Sequence, residues 1–207
     1  MLRQSEHRPR YAAALDRLDA LGLTYACRCT RAEIRAALSA PQEGAAAAPV
    51  YPGTCRGRTA AEAGPGDAIR LDLARALAHA GPLGFTETGP EHPGRHAVDA
   101  GALLAGTGDV VLARRDIGTA YHLAVVVDDA FQGVTHVVRG VDLREATPLH
   151  RLLQALLGLP VPVWHHHRLI RDVAGRRLAK RDDARAIAAY RKAGVTPAGL
   201  RAMLGMG

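Results

Sequence analysis

Between Gly108 and Ile170, short β-branched apolar runs alternate with one long apolar run, and this pattern restricts the chain to a covered sheet. Val110 to Ala113, Leu123 to Val127 and His136 to Arg139 are brief, apolar and rich in valine. Runs of that kind read as strands with something packed on both faces. Leu149 to Leu157 reads instead as a strongly apolar helix, closed by Gly158 and Pro160. Trp164 to Ile170 reads as one more strand. Strands separated by helical runs place the chain in the α/β class.

The first half is less regular. Tyr11, Leu15, Leu18 and Leu21 recur at helical spacing, and Gly22 can end that helix. Thr30 followed by Glu33 has the form of a capping box, which opens a short helix from Arg31 to Leu38. Residues 39 to 66 are rich in Ala, Gly and Pro and read as loop. Ala68 to Leu73 alternates like a half-buried strand. Residues 80 to 108 again read as loop, because Gly and Pro punctuate them so often. A basic loop, Gly175 to Arg181, leads into a last helix from Asp182-Asp183, which Gly194 and Pro197 break before a short tail. No internal repeat is visible.

Composition excludes several classes. The 48% apolar and 23% charged residues are ordinary for a soluble globular protein. No apolar run approaches the length of about 18 residues that a membrane span needs. Met1 to Arg10 is polar and basic, unlike a secretory signal, so a cytoplasmic location is expected. The net charge of +7 suits a polyanionic partner such as tRNA. Yet only Lys180 and Lys192 are lysines among 27 basic residues, and an arginine- and alanine-rich coding bias explains the charge nearly as well.

Three cysteines, Cys27, Cys29 and Cys55, lie in the first third of the chain. An odd number without a secretion signal argues against a disulfide framework. Two thiolates one residue apart can share a metal, and a third further along can close the loop around it. A tetrahedral site wants a fourth ligand, and no histidine lies between Cys27 and Cys55. On spacing alone, buried thiols remain the competing account.

The second half carries a resemblance. Gly108-Asp109-Val110-Val111-Leu112, Arg115-Asp116 and Ala120-Tyr121-His122-Leu123-Ala124-Val125-Val126-Val127-Asp128-Asp129 resemble the catalytic core of glutamyl-type class I aminoacyl-tRNA synthetases. The likeness continues through Gln132 to Leu143, with Arg139-Gly140, and through Thr147-Pro148. It closes on Gly175-Arg176-Arg177-Leu178-Ala179-Lys180-Arg181-Asp182, which is similar to the KMSKS loop in its glutamyl form. Motifs in that order are very specific. The resemblance turns Leu123 to Val127 into a helix. Cys27-x-Cys29 with Tyr51-x-x-x-Cys55 further resembles the zinc site of the shortened branch, the glutamyl-Q tRNA(Asp) synthetases.

The resemblance implies a partial Rossmann-type class I catalytic core with a loop-rich, zinc-bearing insertion. Its expected parts are a helix of the first Rossmann half over 1–26 and a zinc-bearing, acceptor-binding-like subdomain over 27–107. The second Rossmann half would occupy 108–172, and the KMSKS-like loop with terminal helices 173–207. It implies activation of L-glutamate with ATP and Mg2+, and transfer to queuosine of tRNA(Asp). Tyr121 and Arg139 would bind glutamate, where the competing account of Arg139 is an ion pair with Asp128, Asp129 or Asp142. Lys180, within the ATP loop Arg177, Leu178, Ala179, Lys180 and Arg181, would be the catalytic cation. Arg177 stands where the motif has lysine and Ala179 where it has serine, so slower work with ATP is expected. Cys27, Cys29, Tyr51 and Cys55 would hold a structural Zn2+.

Two histidine groups invite metal readings that spacing rejects. His165, His166 and His167 are consecutive on a strand, so they cannot converge on one ion, and His166 is the family-like member. His92-Pro93-Gly94-Arg95-His96 lies in a loop, without the strand and helix that a His-x-Gly-His signature requires.

Met1-Leu2-Arg3-Gln4-Ser5 resembles a point well inside the family sequence, so the resemblance covers only about two-thirds of a family member. The opening strands, the His-Ile-Gly-His-like helix that receives ATP phosphates at its N-terminus and an acidic glutamate-binding residue are outside it. Three readings follow: an internal start in a complete synthetase, an inactive remnant acting as a zinc-stabilised tRNA-binding module, or a separate chain supplying the N-terminal segment. On its own, half a Rossmann sheet would expose a long apolar edge, which needs a partner or the missing segment.

Overall fold

The protein is described from a computed structural model that covers residues 2–30, 32–34, 50–114, 118–171, 175, 178 and 186–205. Helix α1 (Arg8–Ala20) carries Pro9 in its first turn, where the missing N–H costs nothing, and buries Tyr11, Ala14 and Leu18. Gly22, at φ 65°, then turns the chain into β1 (Thr24–Cys27), all four residues of which are buried. The expected capping box is present: Glu33 N–H donates to Thr30 Oγ1 at 3.2 Å and Thr30 N–H to Glu33 Oε2 at 2.7 Å.

Two sheets share the chain. One has the order β1, β2 (Ala68–Leu71), β5 (Val111–Arg114) and β6 (Gly118–Thr119), antiparallel throughout. The other has the order β4 (Gly94–Ala97), β3 (Gly84–Glu87), β8 (Val163–His167) and β7 (His136–Gly140). In it β3, β8 and β7 run parallel, while β4 is antiparallel to β3. The helices that cover these sheets are α2 (Leu73–Ala80), α3 (Ala100–Gly106), α4 (Tyr121–Phe131) and α5 (Thr147–Leu156). Asp72 and Asp99 cap α2 and α3 by accepting from the N–H groups of Arg75 and Ala102. α6 (Ile187–Lys192) and α7 (Pro197–Met203) follow.

One apolar cluster ties the layers together. Leu18 from α1, Leu71 from β2, Leu112 from β5, Leu123 from α4, and Leu149, Leu152 and Leu153 from α5 are all fully buried in it. α1 packs on α4, α2 on α5, and α4 on α5. Leu123 to Val127, strand-like by composition, is helical because helices flank it on two sides, and a helix apolar nearly all round belongs in such a place.

Four expectations are corrected. Residues 80 to 108 hold β3, β4 and α3 rather than loop; the Gly and Pro residues there are turns between short elements. The strand expected over Trp164 to Ile170 is β8, Val163–His167. Pro197 does not merely end a helix; it starts α7, capped by Thr196, whose hydroxyl accepts from Gly199 N–H at 3.1 Å. His96 lies on β4 and stacks on Phe85 at 5.3 Å, so the second histidine group is strand packing rather than loop. In addition, sheet membership does not follow chain order at residue 108. β3 and β4 precede it yet join β7 and β8, whereas β5 and β6 follow it yet join β1 and β2. Pairing between distant segments decides this. Among the described residues β7 pairs on one side only, and Val138 on it is 65% exposed.

Candidate active site and metal cluster

Arg139 lies near the carboxyl end of β7, where ligands of open α/β sheets bind. Its guanidinium is fixed from three nitrogens. Nε donates to His166 Nε2 at 3.0 Å, Nη1 to His150 Nδ1 at 3.2 Å, and Nη2 to Thr147 Oγ1 at 2.8 Å. His166 is the register partner of Arg139 on β8, and Thr147 and His150 form the first turn of α5. Behind His166 sits Glu87 of β3. One of its oxygens meets His166 Nδ1, and the other accepts from the N–H groups of His166 at 3.0 Å and Gly89 at 2.6 Å. His150 in turn shares its Nε2 with His122 Nδ1 at 3.1 Å.

Tyr121, the first residue of α4, is 49% exposed and lies with its ring 5.7 Å from His150. It also helps to hold the Arg139 guanidinium charged. The two residues expected to bind glutamate are thus side by side. The competing ion pair with Asp128 is not how that carboxylate is used: Asp128 accepts from Tyr11 at 2.7 Å and Gln4 at 2.8 Å.

The charges are sharply divided. Burial pushes the Arg139 guanidinium down from its ordinary value, while Tyr121, Asp129 and Glu87 hold it up, so it remains a cation. Burial also pushes Glu87 up, but its hydrogen bonds from His166 and Gly89 win and bring it to about 2. His150 is driven down to about 3 by burial, then by Arg139 and His122. Burial also lowers His122 and, against Glu87, His166. At neutral pH the wall holds the Arg139 cation, the buried Glu87 carboxylate and neutral imidazoles, with the Asp129 carboxyl also acting on Arg139. A planar cation held this way can grip a carboxylate with two parallel hydrogen bonds.

A second cluster surrounds Tyr51. The sulfurs of Cys27, Cys29 and Cys55 lie within 4.8 Å of one another. Tyr51 Oη is 3.4 Å from Cys27 Sγ and 3.6 Å from Cys29 Sγ, and Cys29 Sγ is 3.5 Å from Cys55 Sγ. Ligands about 2.3 Å from a tetrahedral zinc stand about 3.8 Å apart, so these four atoms already approximate its corners. The thiols can therefore hold a metal. Their protons are unevenly placed: burial pushes Cys29 up to about 11. Cys55, despite burial, is held at about 7 by hydrogen bonds from Tyr51, the Arg28 N–H, Cys29 and Cys27. Burial raises the Tyr51 phenol strongly, so only a metal would make it a ligand oxygen.

Residues 97–206 match the family of class I tRNA synthetases for glutamate and glutamine, in its catalytic domain. A glutamyl-Q tRNA(Asp) synthetase of Rhodobacter capsulatus is 54% identical over all of this chain, which spans 75% of it. One from Nocardia farcinica is 44% identical over 97% of the chain, which spans 61% of that protein. The chain belongs to this synthetase family. A solved glutamate tRNA ligase from Elizabethkingia meningosepticum, in complex with its amino acid, superposes with a TM-score of 0.63 at 26% identity. That likeness covers 87% of this chain and 36% of the ligase. The family is one of ligases, and its class I catalytic domain accounts for the α/β build with mixed sheets. Among the described residues no helix is long and apolar enough to cross a membrane.

Of the synthetase loop, Arg177, Ala179, Lys180 and Arg181 lie outside the described residues. Leu178 is described, with its N–H on the Ile170 carbonyl at 3.0 Å. Sequence reasoning missed three site residues. Glu87 and His150 stand behind Arg139. Asp109, 1% exposed, accepts from Tyr25 at 2.6 Å, Arg56 at 2.6 Å and Leu73 N–H at 3.0 Å, and so anchors the cysteine lobe to the sheets. Only Asp109 had a local signal, in the Gly108-Asp109 turn ahead of a strand. A 630 Å³ cavity between α1 and the antiparallel sheet is lined by Arg8, Tyr11, Asp16, Ile69 and Arg114, and contains neither Arg139 nor any cysteine.

Proposed function

We propose that the protein activates L-glutamate with ATP, taken as its Mg2+ complex, and passes the glutamyl group to queuosine of tRNA(Asp). The observation that carries this reading is Arg139, donating from three nitrogens into a buried wall with half-exposed Tyr121 beside it. A dicarboxylate substrate needs such a fixed planar cation. Tyr121 adds a hydroxyl to the same ligand. Lys180, in the KMSKS-like segment with Arg177, Leu178, Ala179 and Arg181, supplies a compact point charge for the phosphates as pyrophosphate leaves. Cys27, Cys29, Tyr51 and Cys55 hold a structural zinc, whose contribution is to fix β1 against the 50–58 segment. The chain's excess of arginine faces a polyanionic partner, tRNA(Asp).

The curated relatives are longer than this chain, so the test uses the chain itself. Glutamate-dependent ATP–pyrophosphate exchange is expected at an impaired rate, and Arg139→Ala is expected to abolish it. The glutamyl group should then pass to tRNA(Asp) containing queuosine and not to tRNA(Asp) lacking it. Retention of the tRNA without any glutamate binding or exchange would overturn this reading in favour of a zinc-stabilised tRNA-binding module.

A further inference from the structure

Three charged or ionisable side chains stand in a row across three adjacent parallel strands: Glu87 on β3, His166 on β8 and Arg139 on β7. The first two are each 2% exposed, and the third adjoins Tyr121 at the surface. We propose that Glu87 and His166 are the positioning residues for Arg139. The carboxylate locks the imidazole as its Nδ1–H tautomer, and the bare Nε2 fixes the guanidinium plane that meets the substrate carboxylate. This rests on the reading of Arg139 as the glutamate grip.

The proton inventory forces the tautomer. Arg139 Nε–H can only donate, so His166 Nε2, 3.0 Å away, must accept. The ring proton is then on Nδ1, where it meets Glu87 Oε2. A doubly protonated ring would set N–H against N–H. Glu87 has no room for a proton either, since Oε1 takes two backbone N–H groups and Oε2 takes the ring. Gly89 keeps the arrangement tight: a Cβ there would strike the His166 carbonyl oxygen and come within 2.7 Å of Glu87 Oε1. The same logic runs through the second imidazole. His150 Nδ1 accepts from Arg139, so its proton is on Nε2 and is donated to His122.

A buried carboxylate joined to a cation through a neutral ring is a poor way to gain stability, because apolar residues fill such space at lower cost. It is an effective way to hold a side chain at one angle. Orientation of an imidazole by a buried carboxylate, with loss of function when the tautomer is wrong, is established chemistry in hydrolase triads.

Glu87→Gln is the decisive variant because it keeps size. An amide NH2 in place of Oε2 donates to Nδ1, drives the ring proton to Nε2 and sets it against Arg139 Nε–H. An NH2 in place of Oε1 faces two backbone donors instead. The test reads the His166 ring nitrogens by 15N NMR of the 207-residue chain, assigned with His166→Phe, and L-glutamate binding by calorimetry. In the unaltered protein we expect a protonated Nδ1, a bare Nε2 and coupling from Arg139 Nε across the hydrogen bond. Glu87→Gln should move the proton to Nε2 and weaken L-glutamate about tenfold or more, whereas Glu87→Asp, still an acceptor, should recover part of the affinity. A ring protonated on Nε2 at neutral pH, or a folded Glu87→Gln protein with unchanged affinity, would overturn the proposal. Should Glu87→Gln not fold, the ring measurement on the unaltered protein decides. If the ring is as stated but L-glutamate does not bind, the positioning of Arg139 stands and the glutamate reading falls.

Discussion

The guanidinium of Arg70 lies over the ring of Tyr51, 3.8 Å from its centroid. Its Nη1 donates to the Asp109 carbonyl at 2.6 Å, so one buried arginine joins the cysteine cluster to the floor of the sheets. β2 and β5 shift register beside it, Ile69 facing Ala113 and Arg70 facing Val111, so the extra residue of the bulge is Leu112 on β5. Tyr51 is thus held by its face while its hydroxyl points at the sulfurs. Tyr51→Phe keeps the ring and the cation–π contact but removes the oxygen. Zinc should still bind, about tenfold or more weakly, which competition with a chromogenic chelator will read.

Removal of the metal has its own signature. The purified chain should contain one zinc, and chelation should lower its melting temperature, because metal binding and folding are coupled in small thiolate sites. Cys27→Ser should lose both the metal and much of the protein's solubility. Elemental analysis alongside thermal melts checks both.

Asp109→Asn should destabilise the protein by about 3 kcal/mol, since it leaves Arg56 without its buried anion and sets an NH2 either against the Tyr25 and Arg56 donors or against the Leu73 N–H. Glutamate affinity per folded molecule should not change. Urea unfolding and calorimetry on the same sample separate the two.

Arg139→Lys should weaken L-glutamate about tenfold or more despite keeping the charge, because an ammonium lacks the planar fork. The melting temperature should fall less than for Asp109→Asn. A lysine that binds glutamate normally would show that the fork is not used.

Stability should climb with pH from about 2 to 6.5. Glu87 lies at about 2 in the folded protein and near 4.5 when unfolded, so its contribution is complete above 4.5 and disappears as pH drops toward 2. His150 lies at about 3 folded against 6.5 unfolded, so below 6.5 the unfolded chain takes up the proton first, again favouring unfolding. Melting temperatures across this range should show both steps, and His150→Phe should flatten the upper one.

Legibility followed the range of the interactions. The period of Tyr11, Leu15 and Leu18, the Thr30–Glu33 cap and the valine run of β7 are local, and each could be read from neighbouring residues. Tyr121 and Arg139 were found through motif likeness rather than through spacing. β3 was hidden among Gly and Pro because it and its neighbour β4 are only four residues long each, and its pairing into the parallel sheet, at Trp164, lies far along the chain. Glu87 and His150 were hidden for the same reason: nothing near them in sequence indicates that they face Arg139. The valines of α4 misled because helix and strand bury such a run equally well.

The way the chain alternates between its sheets has a consequence for how the molecule comes apart. It contributes β1 and β2 to one, β3 and β4 to the other, then returns to the first with β5 and β6 and to the second with β7 and β8. Any cut between residues 72 and 135 therefore leaves at least one sheet short of strands on both fragments. The cysteine cluster and the Arg139 wall, though built on different sheets, are therefore expected to melt together rather than in turn, with a probe placed at either one reporting on the whole.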